Sequence, residues 1–142
     1  MNSALSDTYS QSLISNRRLY IFGALTWLIP FIVSLPFFSA EGELTIDPFL
    51  FKTIMMIVLG GIGTALMVRM FRFVGQRYLM AGLTIGFVWF AINFGLDLIV
   101  LVGLLGNDST EWLIQTGLRY LIIPITGVAI GKGIENALGS RQ

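Results

Sequence analysis

Four apolar stretches, each long enough to cross a lipid bilayer, restrict how this chain can fold. They cover residues 19–38, 49–68, 79–105 and 113–130. At about 1.5 Å per residue, a helix of about 20 residues crosses a hydrocarbon core of about 30 Å. Charged residues make up 12% of the chain, whereas a typical soluble domain contains about 25%. The sequence therefore predicts an all-α polytopic membrane protein built as a bundle of four transmembrane helices.

The segments outside these stretches are short. Residues 1–18 form a polar N-terminal tail, residues 19–131 the transmembrane domain, and residues 132–142 a short C-terminal tail. No connection between the stretches is long enough to form a soluble domain. We therefore expect the protein to act within or beside the bilayer.

Basic residues are concentrated on one side of the predicted bundle. They lie before the first stretch, around the second connection and after the fourth stretch: Arg17, Arg18, Arg69, Arg72, Arg77, Lys132 and Arg141. The first and third connections are acidic, and Lys52 is the basic residue near them. We expect the protein to lie in the inner or plasma membrane of a cell. The positive-inside rule then predicts that both termini are in the cytoplasm. Because the bias is strong, a homo-oligomer should be parallel.

The composition excludes several classes of chemistry. The chain contains no Cys and no His, which removes thiolate nucleophiles, disulfides, imidazole proton transfer and the usual zinc ligands. A net charge of +1 without a basic cluster gives no nucleic-acid signature. We expect no metal, no cofactor and no enzymatic activity, and we expect the partners to be the lipid bilayer and either a larger membrane complex or a second copy.

A pair of opposite charges inside the third and fourth stretches is the strongest candidate for a site. Asp97 and Arg119 lie at equal sequence distances from Asp108, so an antiparallel hairpin would place them at the same depth as an ion pair. Asn93 precedes Asp97 by four residues and Gln115 precedes Arg119 by four, which adds both amides to one polar cluster.

Two interpretations of this cluster remain open. The first is a structural clamp, because an ion pair satisfied by Asn and Gln would fix the register of the hairpin. The second is a substrate or ion site, in which Asp97 binds a cation or exchanges a proton beside Arg119. A self-neutralising pair, with no second ionisable group on an inward path, favours the clamp.

Small residues form a second pattern along the spans. Gly82 with Gly86, and Gly127 with Gly131, have the spacing that lets helix backbones approach closely. Gly60 and Thr64 share this spacing in the second span. We expect these residues to pack helices together, either within the bundle or against another chain. Trp27, Trp89 and Tyr120 are interpreted as membrane anchors, and Tyr120 is also a candidate neighbour of the polar cluster.

Two runs of sequence resemble a known group of proteins. They are G-L-T-I-G-F-V-W-F-A-I-N-F-G-L-D-L-I-V-L at residues 82–101 and G-L-R-Y-L-I-I-P-I at residues 117–125. Both are similar to runs in small four-span membrane proteins of bacteria and archaea, for which no activity is known. The resemblance implies a prokaryotic membrane protein and no mechanism. The sequence thus predicts a non-enzymatic structural, accessory or regulatory membrane component, with a small ion or solute transporter or channel as the alternative.

Overall fold

The computed structural model of the protein describes residues 11–104, 106 and 108–139. Within these residues the chain forms five α-helices and no β-strand, which confirms the predicted all-α class. The helices are α1 (Arg17–Ser34), α2 (Pro48–Phe71), α3 (Tyr78–Asp97), α4 (Ser109–Gln115) and α5 (Ile122–Gly139). Two 3₁₀ segments (Leu35–Phe37 and Gly117–Leu121) and one π-helix (Leu98–Leu104) adjoin them.

Four continuous helical segments are long and apolar enough to cross a membrane. They are span 1 (Arg17–Phe37), span 2 (Pro48–Phe71), span 3 (Tyr78–Leu104) and span 4 (Gly117–Gly139). We call the end of the bundle with the 38–47 connection, Gly106 and Asp108 the acidic end, and the opposite end the basic end. The chain is therefore compatible with a multi-pass membrane protein.

Span 4 differs from the predicted range of 113–130. The helix that follows Asp108 stops at Gln115, and Thr116 (φ −126°, ψ −51°) leaves the helical geometry before a 3₁₀ turn begins at Gly117. Pro124 has no N–H to bond to the carbonyl four residues earlier, and its ring disfavours a regular α-helix through that turn. The span therefore starts later than hydropathy indicates and continues to Gly139.

Local hydrogen bonds fix where the helices begin. The Asp47 carboxylate accepts from the Leu50 amide at the start of α2. At the start of α3, Arg77 adopts φ +51° and supplies no side-chain cap. Glu135, near the end of α5, instead accepts from the Leu79 amide at 3.0 Å, so the basic ends of α3 and α5 are joined by a carboxylate at a helix N-terminus.

Helices α3 and α5 pack backbone to backbone. A Cβ added at Gly82 would meet the carbonyl oxygen of Gly127, and one at Gly131 would meet the carbonyl oxygen of Tyr78. A Cβ at Gly86 would lie 2.6 Å from the Cα of Pro124. Because these neighbours are backbone atoms that no rotamer change can move, small residues are needed here.

The buried core lies in the basic half of the bundle. It contains Leu19 of α1, the basic-end part of α2 and the first half of α3, with Met67, Met70, Ala81, Ile85 and Trp89 among its members. Helix α2 is buried only at Met67, Met70 and Phe71, near its basic end. Toward the acidic end, α2 lines a cavity from Phe51 to Leu59 instead of a packed core, and Phe51 contacts Phe37 and Phe38 at the end of span 1.

Candidate functional site

Asp97 is held by two neutral donors in the interior of the bundle. It is the last residue of α3 and only 6% exposed. Trp27 Nε1 of α1 donates to one carboxylate oxygen at 2.6 Å, and the Tyr120 hydroxyl donates to the other at 2.6 Å. These lengths are typical of the strongest, charge-assisted hydrogen bonds. The carboxylate therefore joins span 1, span 3 and span 4.

The predicted ion pair between Asp97 and Arg119 is not formed. Both residues are described, yet no nitrogen of Arg119 comes within the 4.0 Å of a carboxylate oxygen that defines an ion pair, and Tyr120 faces Asp97 instead. The prediction assumed two regular α-helices. The π-helix after Asp97 and the 3₁₀ turn around Arg119 change the number of residues per turn, so the residue opposite Asp97 is one position later.

Asn93 belongs to a separate hydrogen-bond network nearer the basic end. Its side chain is fully buried, and Nδ2 lies 2.8 Å from both Thr26 Oγ1 and the Trp89 carbonyl oxygen. The Thr26 hydroxyl donates in turn to the Gly23 carbonyl at 2.6 Å. Within the described part of the chain Asn93 Oδ1 has no hydrogen-bond partner. The structure therefore separates Asn93 from Asp97 and places it at the contact of α1 with α3.

Gln115, the fourth member of the predicted cluster, ends α4. Its side chain lies outside what the structure describes. Of the three predicted residues whose side chains the structure describes, Asp97 and Arg119 line one cavity, and they do so without pairing.

A cavity of about 500 Å³ occupies the acidic half of the bundle. It lies between α1, α2, the π-helix and the 3₁₀ turn at 117–121. On α2 its lining extends from Phe51 to Leu59, a length of about 12 Å at the rise of an α-helix. The volume falls within the range of about 300–1,000 Å³ that is typical of small-molecule pockets.

The walls of this cavity are mostly apolar and aromatic. Trp27 and Phe31 stack with ring centroids 4.8 Å apart, and Phe38 meets Phe51 edge-on at 5.5 Å. Two methionines, Met55 and Met56, line the α2 side together with Leu59. Methionine side chains adapt to ligands of irregular shape.

The charged groups of the cavity lie at different levels. Lys52 and Arg119 are near the starts of their spans at the acidic end, and both line the cavity. Arg119 is partly buried, and no residue of the described chain forms a hydrogen bond or ion pair with its guanidinium. Asp97 lies deeper, and each of its oxygens already accepts a hydrogen bond. The cavity thus has a cationic rim and an apolar interior.

Gly60 and Thr64 do not pack against another helix of this chain. A Cβ added at Gly60, Gly61 or Gly63 would meet nothing within 4 Å, and Thr64 is exposed. Gly60 and Thr64 instead border a space of about 20 Å³ that Trp89, Ile122 and Ile123 also line. The close backbone approach predicted for Gly60 and Thr64 is therefore not seen within the described bundle. Gly82, Gly86, Gly127 and Gly131 do lie at close backbone contacts, as described above.

Sequence reasoning missed the two donors to Asp97. It interpreted both residues as membrane anchors and named Tyr120 only as a candidate neighbour of the polar cluster, without a hydrogen bond to Asp97. One signal was available: a Trp in the middle of an apolar span carries an N–H that must find a partner, because lipid supplies none. Applied to Trp27, that rule would have indicated an acceptor on a neighbouring helix.

The fold and the cavity define a class of protein: a four-span helical membrane protein with a partly charged pocket at one end of its bundle. Comparison of the chain with protein-family models, curated proteins and solved structures finds no match. Its function must therefore be inferred from the geometry of the bundle.

Proposed function

We propose that this protein is a non-enzymatic integral membrane protein that binds a small solute in the cavity at the acidic end of its bundle. The observation that carries the proposal is the cavity itself, a space of about 500 Å³ with two cations at its rim and apolar walls below. Ionisable groups inside a membrane bundle are costly and commonly mark a ligand or ion site. A pocket with few polar groups on apolar walls fits binding better than it fits a purely structural role.

The relation between Asp97 and Arg119 supports binding over a clamp. A clamp needs the two charges to satisfy each other, and this was the main sequence argument against a solute site. Asp97 instead takes its hydrogen bonds from Trp27 and Tyr120. The positive charge of Arg119 is thereby left to face the cavity.

The charge distribution supports an orientation for this site. With basic residues in the 72–77 connection and near both chain ends, the positive-inside rule favours cytoplasmic termini. We propose that the protein lies in the cell membrane with the cavity toward the outer face. The sequence resemblance noted above suggests a prokaryotic cell.

The absence of native cysteines allows a direct test of whether water and solutes reach the cavity. Met55 and Leu59 line the cavity, whereas Ile57 lies between them along α2 and is 70% exposed on the outer surface. We expect Met55→Cys and Leu59→Cys to react with a membrane-impermeant maleimide in proteoliposomes or nanodiscs. We expect Ile57→Cys to remain unreactive because it faces lipid.

The matched control makes either result informative. All three positions lie at similar depth, so a difference in reactivity reports the side of α2 and not the distance from the surface. Equal, low reactivity of the three variants in a correctly folded protein would rule out a water-accessible cavity and with it the proposed binding function.

A second candidate function is that of an accessory or regulatory component of a membrane complex, as the sequence suggested. The observation that favours it is Gly61 of α2, which is exposed and whose added Cβ would meet nothing within 4 Å, so that a partner helix could approach α2 closely there. Affinity purification through a C-terminal tag in mild detergent, followed by mass spectrometry, tests this candidate. A stoichiometric membrane partner would support it, and recovery of the protein alone or as a parallel homo-oligomer would not.

A further inference from the structure

We propose that the ligand of this cavity is an amphipathic anion, with its acidic group at Arg119 and its apolar chain along the walls formed by α1 and α2. This inference rests on the proposed binding function and specifies its ligand. An acyl chain with a carboxylate or phosphate at one end has this chemistry, whether it is a free fatty acid or an anionic lipid of the bilayer.

The charges of the lining favour an anion over a cation. A cationic ligand would need Asp97, but the two oxygens of that carboxylate accept hydrogen bonds from Trp27 and Tyr120 and the side chain is 6% exposed. Arg119 has no such partner among the described residues, and Lys52 lies at the same rim. A guanidinium in an apolar setting pairs with a carboxylate or phosphate through strong bidentate hydrogen bonds.

The shape of the lining favours a chain over a compact ion. Below the rim, the α1 side is formed by Trp27, Pro30 and Phe31, and the α2 side by Met55, Met56 and Leu59. From Phe51, at the level of the rim, to Leu59 the lining along α2 is about 12 Å long. An inorganic anion would leave this interior unfilled, whereas an acyl chain would occupy it with its charged end at the acidic end of the bundle.

The test measures protection of Met55→Cys from the maleimide in nanodiscs of zwitterionic lipid. Three probes with the same chain, dodecanoate, dodecanol and dodecyltrimethylammonium, are compared at equal mole fraction in the membrane. We expect dodecanoate to protect the thiol saturably, at a mole fraction about ten-fold or more below that of the two other probes, because it alone forms the charge-assisted contact. Ala40→Cys, a reactive thiol in the exposed 38–47 connection and outside the cavity lining, reports any non-specific effect of the probes on labelling.

Variants of the rim test the assigned contact. Arg119→Gln should raise the half-protecting fraction of dodecanoate about ten-fold, and Arg119→Lys, which keeps the charge, should retain most of the preference. Arg72→Gln, at the opposite end of the bundle, is the matched control and should change nothing. Reactivity of Met55→Cys without any probe shows whether each variant keeps its cavity.

A second arm distinguishes the two sources of the anion. Replacing part of the zwitterionic lipid with phosphatidylglycerol, without added probe, should protect the thiol if the ligand is a bilayer lipid. Protection by dodecanoate alone identifies a free fatty acid, and either result supports an amphipathic anion as the ligand. Equal protection by dodecanol or the ammonium probe, or an unchanged response in Arg119→Gln, would overturn it while leaving the cavity as a binding site. If no probe protects a reactive thiol, the amphipathic anion is wrong.

Discussion

Substitutions at Asp97 and Arg119 should have unequal and independent effects on stability. The Asp97 carboxylate accepts from Trp27 and Tyr120. Asp97→Asn keeps one acceptor oxygen and turns an amide NH₂ toward the other donor. A buried donor without a partner costs about 1–3 kcal/mol, and hydrogen bonds between membrane helices contribute about 0.6 kcal/mol on average with a maximum of about 1.7. We therefore expect Asp97→Asn to lower the free energy of unfolding by about 1–2 kcal/mol.

Arg119→Gln should change the free energy of unfolding by less than about 0.5 kcal/mol. Its guanidinium is partly exposed in the cavity and is not paired with Asp97, and substitutions away from specific buried contacts usually have effects of this size. The comparison is made by reversible unfolding in mixed micelles, with a denaturing detergent as the variable and circular dichroism as the signal. Glu43→Gln, a neutralisation in an exposed connection, is the control.

Double-mutant cycles measure the coupling energy of Asp97 with Tyr120 and of Asp97 with Arg119. Asp97→Asn combined with Tyr120→Phe should cost less than the sum of the single effects, by about 1 kcal/mol, because one hydrogen bond is lost in both variants. Asp97→Asn combined with Arg119→Gln should be additive to within about 0.5 kcal/mol.

The opposite pattern would refute this reasoning. A coupling energy of about 1 kcal/mol or more between Asp97 and Arg119 would show a direct ion pair. Recovery of stability on exchanging the two charges, Asp97→Arg with Arg119→Asp, would lead to the same conclusion. Either result would restore the clamp as the role of these residues and would weaken the assignment of Arg119 to a ligand.

Three further predictions concern packing, capping and orientation. Gly127→Ala should lower the free energy of unfolding by about 1–3 kcal/mol, since the facing backbone of α3 cannot yield. Gly61→Ala, in open space, is the control and should not lower it. Equal effects of the two substitutions in the same unfolding assay would contradict the close contact. Glu135→Gln should cost about 0.3–1 kcal/mol by removing the carboxylate from the N-terminus of α3, and unchanged unfolding would argue against this cap. In intact cells an impermeant maleimide should label Ala40→Cys and spare Gly75→Cys, and the reverse result would invert the orientation.

The fold was largely predictable because the length of an apolar run decides whether it can cross a bilayer as a helix. Any run of about 20 apolar residues must satisfy its backbone within itself in lipid, which leaves the helix as the solution for each span. The glycine pairs of α3 and α5 were recognisable for a similar reason, since their spacing matches one face of a helix. The orientation of the bundle, predicted from the same sequence, stays a prediction.

The site was less predictable because it depends on register. Pairing Asp97 with Arg119 required the chain between them to keep a constant number of residues per turn. The π-helix at 98–104 and the break at Thr116 violate that requirement, and no simple sequence rule specifies a π-helix. A shift of one position was enough to replace an Arg by a Tyr opposite the carboxylate.

The cavity depends on how α2 is placed beside the other spans, and sequence patterns do not encode this placement. The amino acids of α2 are apolar on all sides, so hydropathy could not tell which face contacts the bundle. The residues of span 1 and of the π-helix that line the cavity together with α2 can be identified only once the helices are placed. For the same reason Gly60 appeared to be a packing residue, although it borders a space of about 20 Å³ between α2 and the core.

The asymmetry of the bundle favours binding over passage through the membrane. Beyond Thr26 and Leu59, which line the cavity at its inner end, a second space of about 20 Å³ has room for about one water. It ends against Met67 and Trp89, which are almost completely buried. A carrier would have to separate the basic-end part of α2, where Met67 and its other buried residues are concentrated, from Trp89 of α3. The proposed ligand site thus lies in the open part of the bundle, whereas the part that would have to open for transport is the most closely packed. This arrangement favours a protein that holds its proposed ligand at one face of the membrane.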